Sequence, residues 1–341
     1  MIDSLNIAIA GATGYVGLEL IRILSKHPKA KIIYLCANKS VGKEIYNFDK
    51  NIIKKNLPSI TKVENIDWNK INLIFTALPN GEAQKIAKII PKDVILIDLS
   101  ADFRLRDYKK YKKWYGINHH SKHLIKKSIY SITEFTRKLL PKYQIISCPG
   151  CYPTSIQLPL IPLIKKNLID VNRIIIDSKS GYSGAGKNIK NKFKFKYLFD
   201  SVSAYGVGSH KHVSEIDQEF SKIYKKKINV TFTPHLIPMF RGILSTIYLE
   251  TRGNYDARKI YNFLKKYHKN NFFVKIAKFN TSIGTGNVIN TNYCNISVCE
   301  NRSKNKIIII STIDNLIKGA SGQAVQNMNV AFNFKENLGL V

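Results

Sequence analysis

The feature that most constrains this chain lies near its start. A six-residue apolar run, Leu5–Ala10, passes directly into Gly11-Ala-Thr-Gly14-Tyr-Val-Gly17 and then into helical apolar spacing over about residues 16–25, before Pro28. Strand, glycine turn and helix in that order open a βαβ unit. Residues 31–36, 73–77 and 94–97 read as further short strands and 83–90 as a helix, an alternation that implies a parallel sheet. Where such a turn joins strand to helix, missing side chains let backbone N–H groups and the helix N-terminus approach a pyrophosphate. On that reading Gly11, Thr13, Gly14, Tyr15 and Val16 hold a dinucleotide. The spacing departs from G-x-G-x-x-G, so the motif alone also fits a plain tight turn.

After a short strand at 145–148 the pattern changes. Strands expected at 171–177, 229–233, 243–250 and 307–311 are longer and helices fewer, which describes a second, α+β domain with a mostly antiparallel sheet. Residues 314–332 read as a helix rich in small side chains, suited to packing back on the first domain. The expected fold class is therefore α/β: a Rossmann-type domain from 1–149 with 314–341, and a catalytic and oligomerisation domain from 150–313. A length of 341 residues suits two domains.

The end of the second strand bears on the choice of cofactor. An NAD enzyme places an acid there for the ribose 2′-hydroxyl. This chain has Cys36-Ala-Asn38-Lys39-Ser40, an amide, an ammonium and a hydroxyl that suit a 2′-phosphate, so Asn38 and Lys39 point to NADP.

The formal charge of +31 raises a competing class, a basic nucleic-acid-binding module. Its distribution argues otherwise. Lysines are spread through every segment with abundant Ile and Asn, clustering only briefly at 225–227 and 190–196, and no nucleic-acid motif accompanies them. We expect salt-sensitive polyanion binding and no specific nucleic-acid partner. No apolar run is long enough to span a bilayer, the N-terminus lacks an export signal, and five scattered cysteines fit a reducing compartment. A cytoplasmic enzyme with no membrane partner is expected.

Cys151 stands in Ser147-Cys148-Pro149-Gly150-Cys151-Tyr152-Pro153-Thr154, after a strand and before helical spacing at 154–166. A thiol near a helix N-terminus gains thiolate character, and the flanking prolines describe a turn that exposes it. Candidate proton carriers are His210 and His212, followed by Glu215. Two histidines two apart without a second ligand cluster do not make a metal site. The other six histidines read as surface or turn residues.

Several strings, in order, give the chain a close resemblance to the N-acetyl-γ-glutamyl-phosphate reductase family of arginine biosynthesis, within the semialdehyde dehydrogenase-like superfamily. They are Gly11 to Leu20, Leu99-Ser-Ala-Asp-Phe-Arg104, the Cys151 string, Ser180-Gly-Tyr-Ser-Gly-Ala-Gly186, His210-Lys-His212, Phe232 to Gly242 and Asp314-Asn-Leu-Ile-Lys-Gly319. The resemblance implies NADPH-dependent reductive dephosphorylation of a small acyl phosphate, with Cys151 as nucleophile and His210 as acid/base, His212 being its rival. It also implies that Ser180, Gly181, Ser183 and Gly184 form a second nucleotide-contacting loop, with Asn315 on the nicotinamide side. Arg104 and Arg241 are candidate anion binders, because a guanidinium grips carboxylate or phosphate bidentately, and Glu215 orients the histidines. A dimer or tetramer is expected. The nearest alternative is an aspartate-semialdehyde dehydrogenase, which the strings around Cys151 and the histidines match less well.

Three positions depart from the family pattern: Ser131, where glycine is common; Ser214, where proline is common and whose presence is expected to relax the histidine loop; and Cys148, which creates Cys-Pro-Gly-Cys. Such a pair can close a disulfide. The alternative is that Cys148 is a buried small residue ending a strand.

Overall fold

The computed structural model describes residues 4–52, 56–187 and 200–341; the expected lysine cluster at 190–196 lies outside them. The chain forms two compact units, Met1–Pro149 with Ala320–Val341, and Gly150–Gly319.

The first unit runs β1 (Leu5–Ala10), α1 (Tyr15–Leu24), β2 (Ala30–Cys36), β3 (Ile60–Thr61), β4 (Leu73–Thr76), α2 (Glu82–Ile89), β5 (Ile95–Asp98), α3 (Tyr108–Tyr115), α4 (Lys122–Ile125), β6 (Ser128–Tyr130), α5 (Thr133–Thr136) and β7 (Ile145–Ser147). Its seven strands lie in the order β3-β2-β1-β4-β5-β7-β6, every pairing parallel. The order reverses direction between β1 and β4, the switch point at which open α/β sheets bind ligands. One face is covered by Leu18, Ile21 and Leu24 of α1 with Val325 and Met328 of the C-terminal helix Gly322–Ala331; the other is covered by Ala83, Ile86 and Ala87 of α2. Strands buried on both faces explain their unbroken apolar runs.

The Ser-Ala-Asp-Phe-Arg segment follows β5. Asp102 is fully buried; its carboxylate accepts the N–H groups of Gly81 and Gln84 and the Tyr111 hydroxyl, at 2.7, 3.2 and 2.6 Å, and so caps α2 from a distant loop. Gly81 has no side chain to do this itself. We expect Asp102→Ala to cost about 3 kcal/mol by leaving these donors unmet in the interior, read as a lower denaturant midpoint.

The second unit runs α6 (Cys151–Lys165), β8 (Ile175–Gly181), β9 (Ser203–Ala204), α7 (Val213–Tyr224), β10 (Thr231–Ile237), β11 (Ile243–Glu250), α8 (Ala257–Tyr267), β12 (Val274–Ile276), β13 (Cys294–Glu300) and β14 (Lys306–Ile313). The strand order is β12-β13-β14-β11-β8-β10-β9. Four of its pairings are antiparallel, while β8–β10 and β12–β13 are parallel.

Several sequence expectations need correction. The strand placed at 171–177 starts at Ile175, because the Asp170 carboxylate accepts the Asn172 N–H at 3.1 Å and turns the chain first. That at 229–233 runs on through Pro234 to Ile237. The helix read at 314–332 is a π-turn, Ile317–Ser321, followed by an α-helix. Three of the six lesser histidines are buried, not superficial: His27, His119 and His268 each hydrogen-bond an interior oxygen, at Asn329, Asp102 and Leu158. Among the described residues no helix is long and apolar enough to cross a membrane, and no cluster of three His, Cys, Asp or Glu could hold a metal ion.

Candidate active site

The helix after Gly150 begins at Cys151, three residues earlier than its prolines suggest. Pro153 occupies the third helical position, where a missing N–H costs nothing. Gly150 is the N-cap and offers no side chain; its own N–H donates to Glu215 Oε2 at 2.9 Å. Cys151 is therefore the first helical residue, half-buried, at the positive end of a helix almost wholly buried along its length. The N–H groups of Cys151 and Tyr152 sit where a helix cannot use its own donors.

Glu215, in the first turn of α7, is fully buried and stands 4.0 Å from His212 Nε2. The His212 ring lies so close to Gly150 that a Cβ there would come within 2.4 Å of Nε2, so glycine is required by this approach. His210 packs on His212 with ring centroids 4.8 Å apart, and the Tyr152 ring stands edge-on to both, at 5.5 and 5.9 Å. Phe232 and Tyr205 close the cluster around His210, and the Tyr152 and Tyr205 hydroxyls share a hydrogen bond of 3.0 Å. The residue next to the cysteine thus carries both histidines against its ring.

Burial, with the neighbouring His212 second, pushes His210 down to about 3, so its ring is neutral at ordinary pH. His210 Nδ1 accepts the His212 N–H at 3.2 Å, which leaves the proton on Nε2 and makes that atom a donor. Ser214, expected to relax this loop, tightens it instead: its hydroxyl donates to the Lys211 carbonyl at 2.6 Å.

Around the loop 180–186, Ser183 is buried and accepts from Asn315 Nδ2 at 2.9 Å, while Asn315 Oδ1 accepts the Gly242 N–H at 2.7 Å. Gly181 permits a close pass of the 240–241 backbone, and Gly184 lies over the Ser180 hydroxyl. Arg241 Nη1 pairs with buried Asp314 at 3.1 Å and bonds Asn290 Oδ1 at 2.8 Å. Asn315 is thereby a loop clamp as well as a candidate cofactor contact, and Arg241 is oriented by a carboxylate behind it.

In the other unit, Gly11 has φ +89°, and a Cβ on it would fall 2.3 Å from the Ala77 carbonyl; one on Gly17 would fall 2.2 Å from the Gly11 carbonyl. These glycines are demanded by backbone packing at the β1/β4 switch point. Gly14 is the N-cap of α1 and supplies no side-chain cap, so Thr13, Tyr15 and Val16 flank the positive end of that helix. Asn38 and Lys39 form an exposed turn after β2, and Ser40 is buried behind them. Arg104 donates from Nε to the Cys148 carbonyl and from Nη2 to that of Leu99, at 2.8 and 2.9 Å, so part of its guanidinium secures backbone.

Cys148 is a buried strand-end residue. Its thiol accepts weakly from Asn327 at 3.6 Å, burial pushes it up to about 12, and no disulfide joins any of the five cysteines. Ser131 is likewise fixed, its hydroxyl bonded to Asn327 and Thr136. Sequence reasoning missed the ring cluster of Tyr152, Tyr205 and Phe232, and the Asp314 carboxylate behind Arg241. Only the position of Tyr152 beside the cysteine could have signalled any of these.

The fold and site define a two-unit dehydrogenase with a dinucleotide loop and a helix-start cysteine. Family models agree: the semialdehyde dehydrogenase NAD binding domain matches residues 6–143 and the semialdehyde dehydrogenase dimerisation domain matches 151–315. N-acetyl-gamma-glutamyl-phosphate reductase of Thermoanaerobacter pseudethanolicus is 45% identical over 98% of this chain and 97% of its own length. The enzyme of that name from Afipia carboxidovorans is 43% identical over 100% and 98%. Among solved structures, aspartate semialdehyde dehydrogenase II of Vibrio cholerae shares the fold, with a TM-score of 0.74 at 20% identity over 97% of this chain and 99% of that one. The chain belongs to the semialdehyde dehydrogenase family and, within it, to the N-acetyl-γ-glutamyl-phosphate reductases.

Proposed function

We propose that this chain reduces N-acetyl-γ-glutamyl phosphate to N-acetylglutamate semialdehyde and phosphate with NADPH, through a thioester on Cys151. The observation that carries this is a cysteine at the first position of a buried helix, with two histidines seated on the ring of the next residue. The Cys151 thiolate attacks the acyl carbon and phosphate leaves with the bonding pair, giving a thioester that accepts hydride readily. NADPH, when bound, supplies that hydride. The oxyanion formed at each step is met by the N–H groups at the start of α6 and by His210 Nε2–H. His212, backed by Glu215, carries the exchangeable proton in place of His210, the carrier that the family resemblance implied, because burial keeps the His210 ring neutral; C–S cleavage returns the thiolate with the aldehyde. Arg104 and Arg241 are the guanidinium groups proposed to meet the substrate's anionic groups.

On the cofactor side, Gly11, Thr13, Gly14, Tyr15 and Val16 hold the pyrophosphate, Asn38 and Lys39 the 2′-phosphate, and Ser180 to Gly184 with Asn315 the nicotinamide end. The outer face of the second sheet, which exposes Ile175 and Tyr248 by 49% and 40%, serves as the contact between copies in a dimer. The thiols suit a reducing compartment.

The direct test is phosphate-dependent reduction of NADP by N-acetylglutamate semialdehyde, with aspartate semialdehyde as competitor. Preference for the aspartyl substrate would refute the assignment. His210→Gln is expected to lower kcat/KM by about 100-fold at every working pH, because the ring it replaces is neutral throughout that range. His210 also affects stability: folded, it refuses a proton that the unfolded chain accepts below about 6.5. Its contribution is thus full above pH 6.5 and declines as pH falls toward 3, a decline His210→Gln removes from acid denaturation curves.

A further inference from the structure

We infer that Asp314 is a positioning residue for Cys151 and Arg241, acting through the π-turn Ile317–Ser321; this rests on the reading of Cys151 as nucleophile. The Asp314 carboxylate is fully buried, a placement that needs full satisfaction by donors. Oδ1 accepts the N–H groups of Leu316 and Ile317 at 2.8 and 3.2 Å, folding the chain sharply as β14 ends. Oδ2 accepts Arg241 Nη1 at 3.1 Å and the Asn290 N–H at 2.8 Å. The Asp314 carbonyl accepts the Gly319 N–H at 2.9 Å, five residues on, which is the bond of a π-turn.

The consequence falls at Gly319. A Cβ there would lie 2.7 Å from Cys151 Cβ and 3.2 Å from its Cα. Neither atom can retreat, since Cys151 begins a helix packed into the core. The wider turn therefore presses a side-chain-free residue onto the nucleophile's flank and limits the directions its sulfur can take. The next residue after Asp314 extends the same arrangement, because Asn315 ties Gly242 to Ser183. One carboxylate thus sets three things in register: the wall beside the thiol, the Arg241 guanidinium and the loop at Ser183.

The test uses the full-length chain and two readouts, steady-state kinetics and the rate of Cys151 alkylation by iodoacetamide across pH, with circular dichroism to confirm folding. Gly319→Ala is expected to lower kcat at least 100-fold with KM for the acyl phosphate within threefold, and to change the alkylation rate at least tenfold. Asp314→Asn, which keeps the size and removes the charge facing Arg241, is expected to raise KM at least tenfold and move alkylation in the same sense as Gly319→Ala. A folded Gly319→Ala protein that alkylates like wild type overturns the proposal, whatever its activity. So does an Asp314→Asn protein with unchanged KM and alkylation. If Asp314→Asn does not fold, Gly319→Ala decides alone. Full activity in Cys151→Ala would instead defeat the nucleophile assignment, a separate result.

Discussion

Cys151→Ala is expected to lower the reductase rate by about 10⁵-fold, as loss of a covalent nucleophile does elsewhere, while NADPH affinity stays within twofold. Without the sulfur no thioester forms, and the remaining donors can only polarise an acyl phosphate toward water. The replacement should be nearly silent for the fold: Cys151 is half-buried at a helix start, and alanine is a good helix former. Rapid-quench measurement of phosphate release in the absence of cofactor separates the two halves of the chemistry. Wild type should release one equivalent per site as the acyl group transfers, and the variant none. A variant that still gives the burst would remove Cys151 from the mechanism.

The second large effect belongs to the other unit. Gly17→Ala puts a Cβ 2.2 Å from the Gly11 carbonyl and 2.9 Å from Ala12 backbone atoms. None of these is a side chain that can swing away, and the Gly11 to Gly17 turn is itself wedged against Ala77 beyond β4. The loop must shift as a whole, at a cost of about 2–4 kcal/mol. Because the displaced backbone is the part proposed to meet the pyrophosphate, KM for NADPH should rise by at least 100-fold, with Cys151 alkylation unchanged. Fluorescence titration of NADPH provides the measurement; binding at wild-type strength would show that the tight turn has no role in holding cofactor.

The first unit was readable in the chain because a doubly covered parallel sheet demands apolar strands, and the glycine turn marks its switch point. Strand ends moved by a residue or a few where local turns intervened, as at Asp170. The second unit was harder. β13 alternates through Asn295 and Ser297, side chains that read as loop, and β12 has three residues. Cys151 and the histidines were legible as chemistry-bearing types in constrained settings. What stayed hidden was their arrangement: nothing in the spacing between 152 and 210 says that one tyrosine ring receives both histidines. Asp314 was passed over for the same reason, since its four donors come from three separate stretches of chain. Ser214 was misjudged because a hydroxyl replacing proline can close a turn as well as loosen it.

The contrast between the two thiols of Cys-Pro-Gly-Cys has a practical side. Burial pushes the Cys148 thiol up to about 12, so it stays protonated near pH 7, and the same burial keeps reagents away. Electrophiles reaching this tetrapeptide should therefore mark one position. A mono-alkylated peptide spanning both residues counts competent sites in a preparation, and doubly alkylated peptide counts misfolded chains, so a single mass spectrum grades an enzyme stock without any substrate.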